Sequence, residues 1–146
     1  MKYIKAEKYN AKNINNLFMG PNPIKLTEEL LLNHRIPAGA TVMDLGCGRG
    51  VTSVFLVKEY GFRVFATDLW ISATENKQFF DRMGLTSDRI IPIHADATAL
   101  PYAEEFFDRL SVLTRTTISD TTRNIWANTL FHLSSTGDTF TFAFQA

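Results

Sequence analysis

The stretch "VMDLGCGRG", residues 42–50, decides how the rest of the chain is read. It overlaps a short apolar run, "TVMDL" (residues 41–45), whose length and β-branching predict a buried strand that delivers Asp44 at its end. Gly46, Gly48 and Gly50 follow at once, and three glycines in five residues are more than a tight turn requires. "VTSVFLVKEY" (residues 51–60) then reads as a helix, stopped by Gly61. A strand that runs through a glycine loop into a helix brings bare backbone close to a ligand at the carboxyl end of a sheet.

The same rhythm extends outward. "FRVFATD" (62–68) predicts a second strand. "SATENKQFFDRM" (72–83) predicts a second helix, with Ser72 and Glu75 at capping-box spacing and Gly84 at its end. "RIIPIHAD" (89–96) predicts a third strand, in which Pro92 suits an edge or a strand start better than a centre. "RLSVL" (109–113) is a candidate fourth. Upstream, "IPAGA" (36–40) is a turn and "IKLTEELLLNH" (24–34) has helical apolar spacing. Residues 1–23, polar and aromatic with Asn-rich and Pro-Asn-Pro stretches, read as an arm or lid. Alternating strands and helices predict an α/β fold, a Rossmann-like, doubly wound, mostly parallel sheet over residues 24–113.

Composition excludes several functions. At 146 residues the chain has one domain's worth of sequence, 45% hydrophobic and 21% charged. A formal net charge of zero carries no electrostatic footprint for nucleic acid or an anionic membrane. A single cysteine, Cys47, rules out an internal disulfide and a cysteine-cluster metal site, and no metal is expected. No apolar run approaches the roughly 20 residues of a membrane helix. The N-terminus has no continuous apolar segment of signal-peptide type, so a cytoplasmic location is expected. His34, His94 and His132 show no ligand spacing and read as structural or surface residues.

Two cofactor classes use such loops. The dinucleotide fingerprint G-x-G-x-x-G needs a third glycine where this chain has Val51; the spacing here is G-x-G-x-G. A dinucleotide also presents a pyrophosphate, for which Asp44 is a poor neighbour. Asp44 suits a cationic ligand, one carrying an ammonium and a sulfonium. An NAD(P)-dependent oxidoreductase is therefore the weaker reading. Asp68, 18 residues after Gly50, ends the second strand, where a carboxylate can accept from both ribose hydroxyls or cap the next turn. Leu69 and Trp70 follow; Trp70 fits an adenine face or the core equally. Cys47 is expected to contribute backbone, with its thiol buried. Arg49 reads as a solvated charge at the mouth of the loop.

"VMDLGCGRG", "ATDLW" and "HADATALPYAEEFFD", in that order and spacing, resemble the class I S-adenosylmethionine-dependent methyltransferases, over about residues 17–108. "LFMGPNPIKLTEELL" (17–31) looks like a subgroup of small bacterial methyltransferases. The resemblance implies S-adenosylmethionine as cofactor, held by Asp44, Gly46, Cys47, Gly48, Gly50, Asp68, Leu69, Trp70, Asp96 and Ala97. In it Asp44 faces the methionine end, Asp96 accepts from the adenine amino group, and the backbone at Ala97 contacts the ring. It implies methyl transfer to a small-molecule acceptor, with no nucleic-acid or membrane partner. Tyr9, Phe18 and Met19 are candidates for the acceptor side and equally for lid packing; no catalytic residue is named.

The chain changes vocabulary after Asp108, becoming threonine-rich and lysine-free. "RLSVLTRTTIS" (109–119) is what results when one base is deleted after the Asp108 codon of a gene encoding a family-like strand. With permitted synonymous codons, the other frame can go on to read as a charged helix, a Gly-Gly turn and an alternating strand. Residues 114–146 are thus expected to be an out-of-frame tail, leaving the sheet incomplete beyond its fourth strand, with an exposed edge. A non-catalytic product retaining at most cofactor binding is the alternative function.

Overall fold

In a computed structural model, residues 3–10, 22–32, 34–114 and 139–143 are described. Five strands form one sheet: β1 (Thr41–Leu45), β2 (Arg63–Asp68), β3 (Ile90–His94), β4 (Arg109–Thr114) and β5 (Thr139–Ala143). Their order is β3-β2-β1-β4-β5, and every neighbouring pair is parallel. The order reverses beside β1, which makes the β1/β4 boundary the switch point of a doubly wound sheet. The crevice beyond the carboxyl ends of β1 and β4 is where such sheets bind ligands.

The helices are α1 (Ile4–Asn10), α2 (Pro23–Leu31), α3 (Val51–Tyr60) and α4 (Ala73–Arg82). Period-two alternation splits the strand residues between two faces. Val42, Val64, Ala66 and Ile90 pack with Val54, Leu56 and Phe80 of α3 and α4. Met43 and Leu45 face the other way, onto Phe107, with Phe65, Leu100 and Tyr102 around them. α3 is buried along most of its length, which its even apolar composition foreshadows. α4 ends in a Schellman turn: Leu85 N donates to Phe80 O and Gly84 N to Asp81 O, with Gly84 at φ +74°.

The structure departs from the sequence reading in three places. First, residues 4–10 form a helix, not a loop. Ala6 and Tyr9 are buried against Ile24, Val51 and Phe55. The first-turn donors of α1, Lys5 N and Ala6 N, are taken by the two oxygens of the buried Glu28 carboxylate at 3.0 and 2.7 Å. A cap supplied from another helix leaves no local signature. Second, α2 starts at Pro23, with Asn22 capping Ile24 N and Lys25 N, and stops at Leu31. Third, the sheet does not end at β4, because β5 adds a fifth parallel strand beyond it. Pro92 lies in β3, at the opposite edge, as its missing donor requires.

Candidate functional site

The glycine loop hangs from the end of β2. Thr67 O accepts from Gly46 N at 2.8 Å and from Cys47 N at 3.2 Å. Asp68 Oδ2 accepts from Gly48 N at 2.8 Å. Asn76 of α4, almost fully buried, donates from Nδ2 to Gly48 O at 3.1 Å. Two neighbouring elements therefore brace both sides of the Gly48 peptide unit.

Gly48 and Gly50 serve different ends. A Cβ on Gly48 would meet nothing within 4 Å, so its backbone is open to approach. A Cβ on Gly50 would lie 2.5 Å from Phe80 Cε1 and 2.7 Å from Cζ, and Gly50 caps α3 at φ +80°. Gly50 is glycine because its bare side faces the core.

Asp44 is fully buried. The strand's alternation turns it to the α3 side, where Ser53 Oγ donates to Oδ2 at 2.7 Å. Its other oxygen, Oδ1, has no hydrogen-bond partner among the described residues. Burial pushes its carboxyl up from 3.8 to about 7; the Ser53 bond opposes this, and the nearby Asp68 charge adds to it. An orphaned, buried carboxylate oxygen is costly unless a ligand completes it.

Asp68, also buried, holds three backbone donors. Besides Gly48 N on Oδ2, its Oδ1 accepts from Trp70 N at 2.7 Å and Ile71 N at 2.9 Å. The carboxylate thus caps the turn and pins the loop, and a ribose diol would have to share these lone pairs. No basic side chain pairs with Asp44 or Asp68 among the described residues. The pair favours a positive ligand and opposes a pyrophosphate.

The remaining predicted residues follow the carboxyl ends of β1, β2 and β3. Trp70 is 88% exposed, so it is not core, and Leu69 is 43% exposed. His94 Nε2 lies 2.7 Å from Leu69 O and fixes that turn. Asp96 is exposed; its Oδ1 accepts from Thr98 N and Thr98 Oγ1, which holds the carboxyl below its ordinary range. Ala97 packs partly against the Met43–Phe107 cluster. Cys47 is half-buried, and burial raises its thiol well above its usual value, so it offers no thiolate. Arg49 is exposed.

Tyr9 does not reach the site. It packs edge-on against Phe55, and its hydroxyl donates to Glu59 Oε1 at 3.1 Å, near the far end of α3. Phe18, Met19 and His132 lie outside the described residues. Sequence reasoning missed Ser53, Asn76 and Tyr102. Tyr102 and Thr67 share a 2.7 Å hydroxyl contact behind the strand that carries the loop. Only their polarity at otherwise buried positions could have marked them. No group of three or more His, Cys, Asp or Glu side chains among the described residues is placed to hold a metal. No helix among them is long and apolar enough to cross a membrane.

A parallel sheet with a glycine loop and acidic ends on β1 and β2 defines the class I, Rossmann-like methyltransferase architecture. Residues 42–137 match the methyltransferase domain family, so the chain belongs to that family. Methyltransferase GfsG of Streptomyces halstedii is 33% identical over 86 residues, 59% of this chain and 31% of that protein. The 2-methyl-6-phytyl-1,4-hydroquinone methyltransferase of Synechocystis is 39% identical over 75 residues, 50% of this chain and 22% of its own length. The chain thus spans about a third or less of these relatives. Among solved structures, geranyl diphosphate C-methyltransferase from Streptomyces coelicolor, in complex with S-adenosyl-L-homocysteine, has a TM-score of 0.63 at 19% identity. That match covers 77% of this chain and 41% of the other. The [4+2]-cyclase SpnF has a TM-score of 0.66 at 16% identity, over 81% and 44%. Similarities this distant establish the fold; chemistry is a separate question.

Proposed function

We propose that this chain binds S-adenosylmethionine and serves methyl transfer from its sulfonium to a small-molecule nucleophile. The observation that carries the reading is the pair of buried carboxylates, Asp44 and Asp68, on either side of the glycine loop, without a basic partner among the described residues. Asp44 Oδ1 would complete its hydrogen bonding with the ammonium of the methionine end. The open backbone of Gly48, with Gly46 and Cys47, lets the ligand lie close, while Gly50 keeps the loop seated on Phe80. Asp68 would take the ribose hydroxyls, Leu69 and Trp70 an adenine face, and Asp96 with Ala97 the adenine edge. The sulfonium group is already activated, so the protein's contribution is alignment and exclusion of water. No general base is assigned, since the acceptor determines whether one is needed.

Calorimetry tests this. S-adenosylhomocysteine should bind and NADH should not; the reverse would restore the oxidoreductase reading. Asp68→Ala should weaken S-adenosylhomocysteine binding by about 1–3 kcal/mol, through unpaired ribose hydroxyls and a loosened Gly48. Equal binding by wild type and variant would remove Asp68 from the site. A small-molecule acceptor is in keeping with the hydroquinone that gives one relative its name. The lone, half-buried Cys47 suits a reducing, cytoplasmic setting.

A second reading rests on the composition after Asp108. A one-base deletion would make residues 114–146 an out-of-frame tail, remove the acceptor-side loops, and leave at most cofactor binding. The coding DNA tests it: read one base earlier from codon 110 onward, it should continue as a family-like segment. A stop codon there would refute it, and robust turnover by the purified chain would refute its functional half.

A further inference from the structure

Ser53 stands in the first turn of α3, fully buried, and its hydroxyl is the only group that donates to Asp44 among the described residues. Nothing in the strand–loop–helix pattern calls for a hydroxyl there; an alanine would complete the helix as well. The hydrogen bond is made to one oxygen alone, Oδ2, and the other is buried and without a partner among the described residues. We infer that Ser53 is a positioning residue for the cationic end of the ligand: by donating to Asp44 Oδ2 it turns Oδ1 toward the ligand and supplies the one hydrogen bond its carboxylate has among the described residues. The inference rests on the cofactor reading above and adds to it the residue that keeps Asp44 fit to receive a cation.

The electrostatics favour this role. Burial drives Asp44 toward its neutral form, and the Ser53 hydrogen bond acts in the opposite sense. The titratable groups near Asp44 among the described residues give no such help. β2 contributes the Asp68 carboxylate, which opposes a second negative charge, and the loop contributes Cys47, whose thiol is held protonated. On β4, Ser111 is the register partner of Asp44. A neutral Asp44 would offer an ammonium far less than a carboxylate does.

The test compares wild type with Ser53→Ala across pH, using S-adenosylhomocysteine as the probe. Losing one charge-assisted hydrogen bond should move the Asp44 midpoint up by about one pH unit. With the wild-type midpoint near 7, the variant should bind about fivefold more weakly at pH 7, and the two should converge by about pH 9. The ligand's own ammonium titrates identically in both experiments and cancels in the ratio. Ser53→Thr, which keeps the hydroxyl, should restore the wild-type profile, and in an Asp44→Asn background Ser53→Ala should show no pH-dependent effect. In the ligand-free chain, carboxyl carbon NMR should show the same upward move of the Asp44 midpoint. Ser53→Cys, similar in size but a poor donor, serves the same comparison if Ser53→Ala does not fold. A binding ratio independent of pH, or an unmoved Asp44 midpoint, would overturn the role of Ser53. Wild type failing to bind at any pH, with the midpoint still moving, would instead overturn the cofactor reading and the ligand half of this inference.

Discussion

Replacing Gly50 with alanine should cost far more stability than replacing Gly48, although the two lie two residues apart in one loop. Both have positive φ, +80° and +55°, and a left-handed alanine costs about 1–2 kcal/mol. The substitution returns about 0.4–1 kcal/mol by stiffening the unfolded chain. At Gly48 nothing further is added, because the new methyl meets open space, and the net cost is about 1 kcal/mol. At Gly50 the methyl would sit 2.5 Å from Phe80 Cε1, and Phe80 is itself fully buried on α4. Relieving that overlap means moving a ring in a packed core, which adds about 1–3 kcal/mol. Gly50→Ala should therefore lose about 2–4 kcal/mol, a melting decrease of about 6–15 °C for a chain of this size. Urea and thermal melts of both variants read this directly. A double-mutant cycle with Phe80→Leu should return a coupling of about 1–3 kcal/mol, because the smaller side chain makes room. Ligand binding should show the opposite ranking at constant stability, with Gly48→Ala the more harmful. If Gly50→Ala costs no more than about 0.5 kcal/mol beyond Gly48→Ala, and no coupling to Phe80 is found, the division of labour is wrong.

Other outcomes follow from the same contacts. Because the Asp44 carboxyl is raised from 3.8 to about 7, its contribution favours the folded state while it is protonated. That stability is fully present below 3.8 and is lost as pH rises through about 7, by a few kcal/mol at most. The difference in melting temperature between wild type and Asp44→Asn should therefore fall from pH 5 to pH 8, and a flat difference would refute it. Glu28→Ala should cost about 1–3 kcal/mol and release α1, because Lys5 N and Ala6 N lose their acceptor; proteolysis near residues 4–10 should accelerate with the melting change. Tyr102→Phe should cost about 1 kcal/mol by leaving buried Thr67 Oγ1 with only a 3.4 Å contact to Phe65 O, and a melt unchanged from wild type would dismiss that bond.

The strand–loop–helix order and the identity of the site's acidic ends were legible in the sequence, because each is written in a local pattern. "TVMDL" favours a buried strand by its length and β-branching, and it occupies Thr41–Leu45. Ser72 and Gly84 bound α4 through bonds to residues a few positions away, so their signals are local as well. Pro92 pointed to an edge or a strand start because a residue without a donor fits poorly elsewhere in a sheet, and among the described residues it lies in an edge strand. What only the tertiary structure decided depends on partners distant in sequence. Helix α1 exists because Glu28, more than 20 residues away, takes its first donors. Gly50 must be glycine because Phe80 of another helix lies against it. Trp70 is exposed, not core, because its backbone N–H is tied to Asp68 in a turn at the sheet's end, and composition alone cannot tell those fates apart. Asp44 was visible as an acid at a strand end, but its one bonded and one orphaned oxygen arise from folding α3 over β1. Local periodicity specifies most of the elements; the environment of a buried charge is set by groups that meet only once those elements pack.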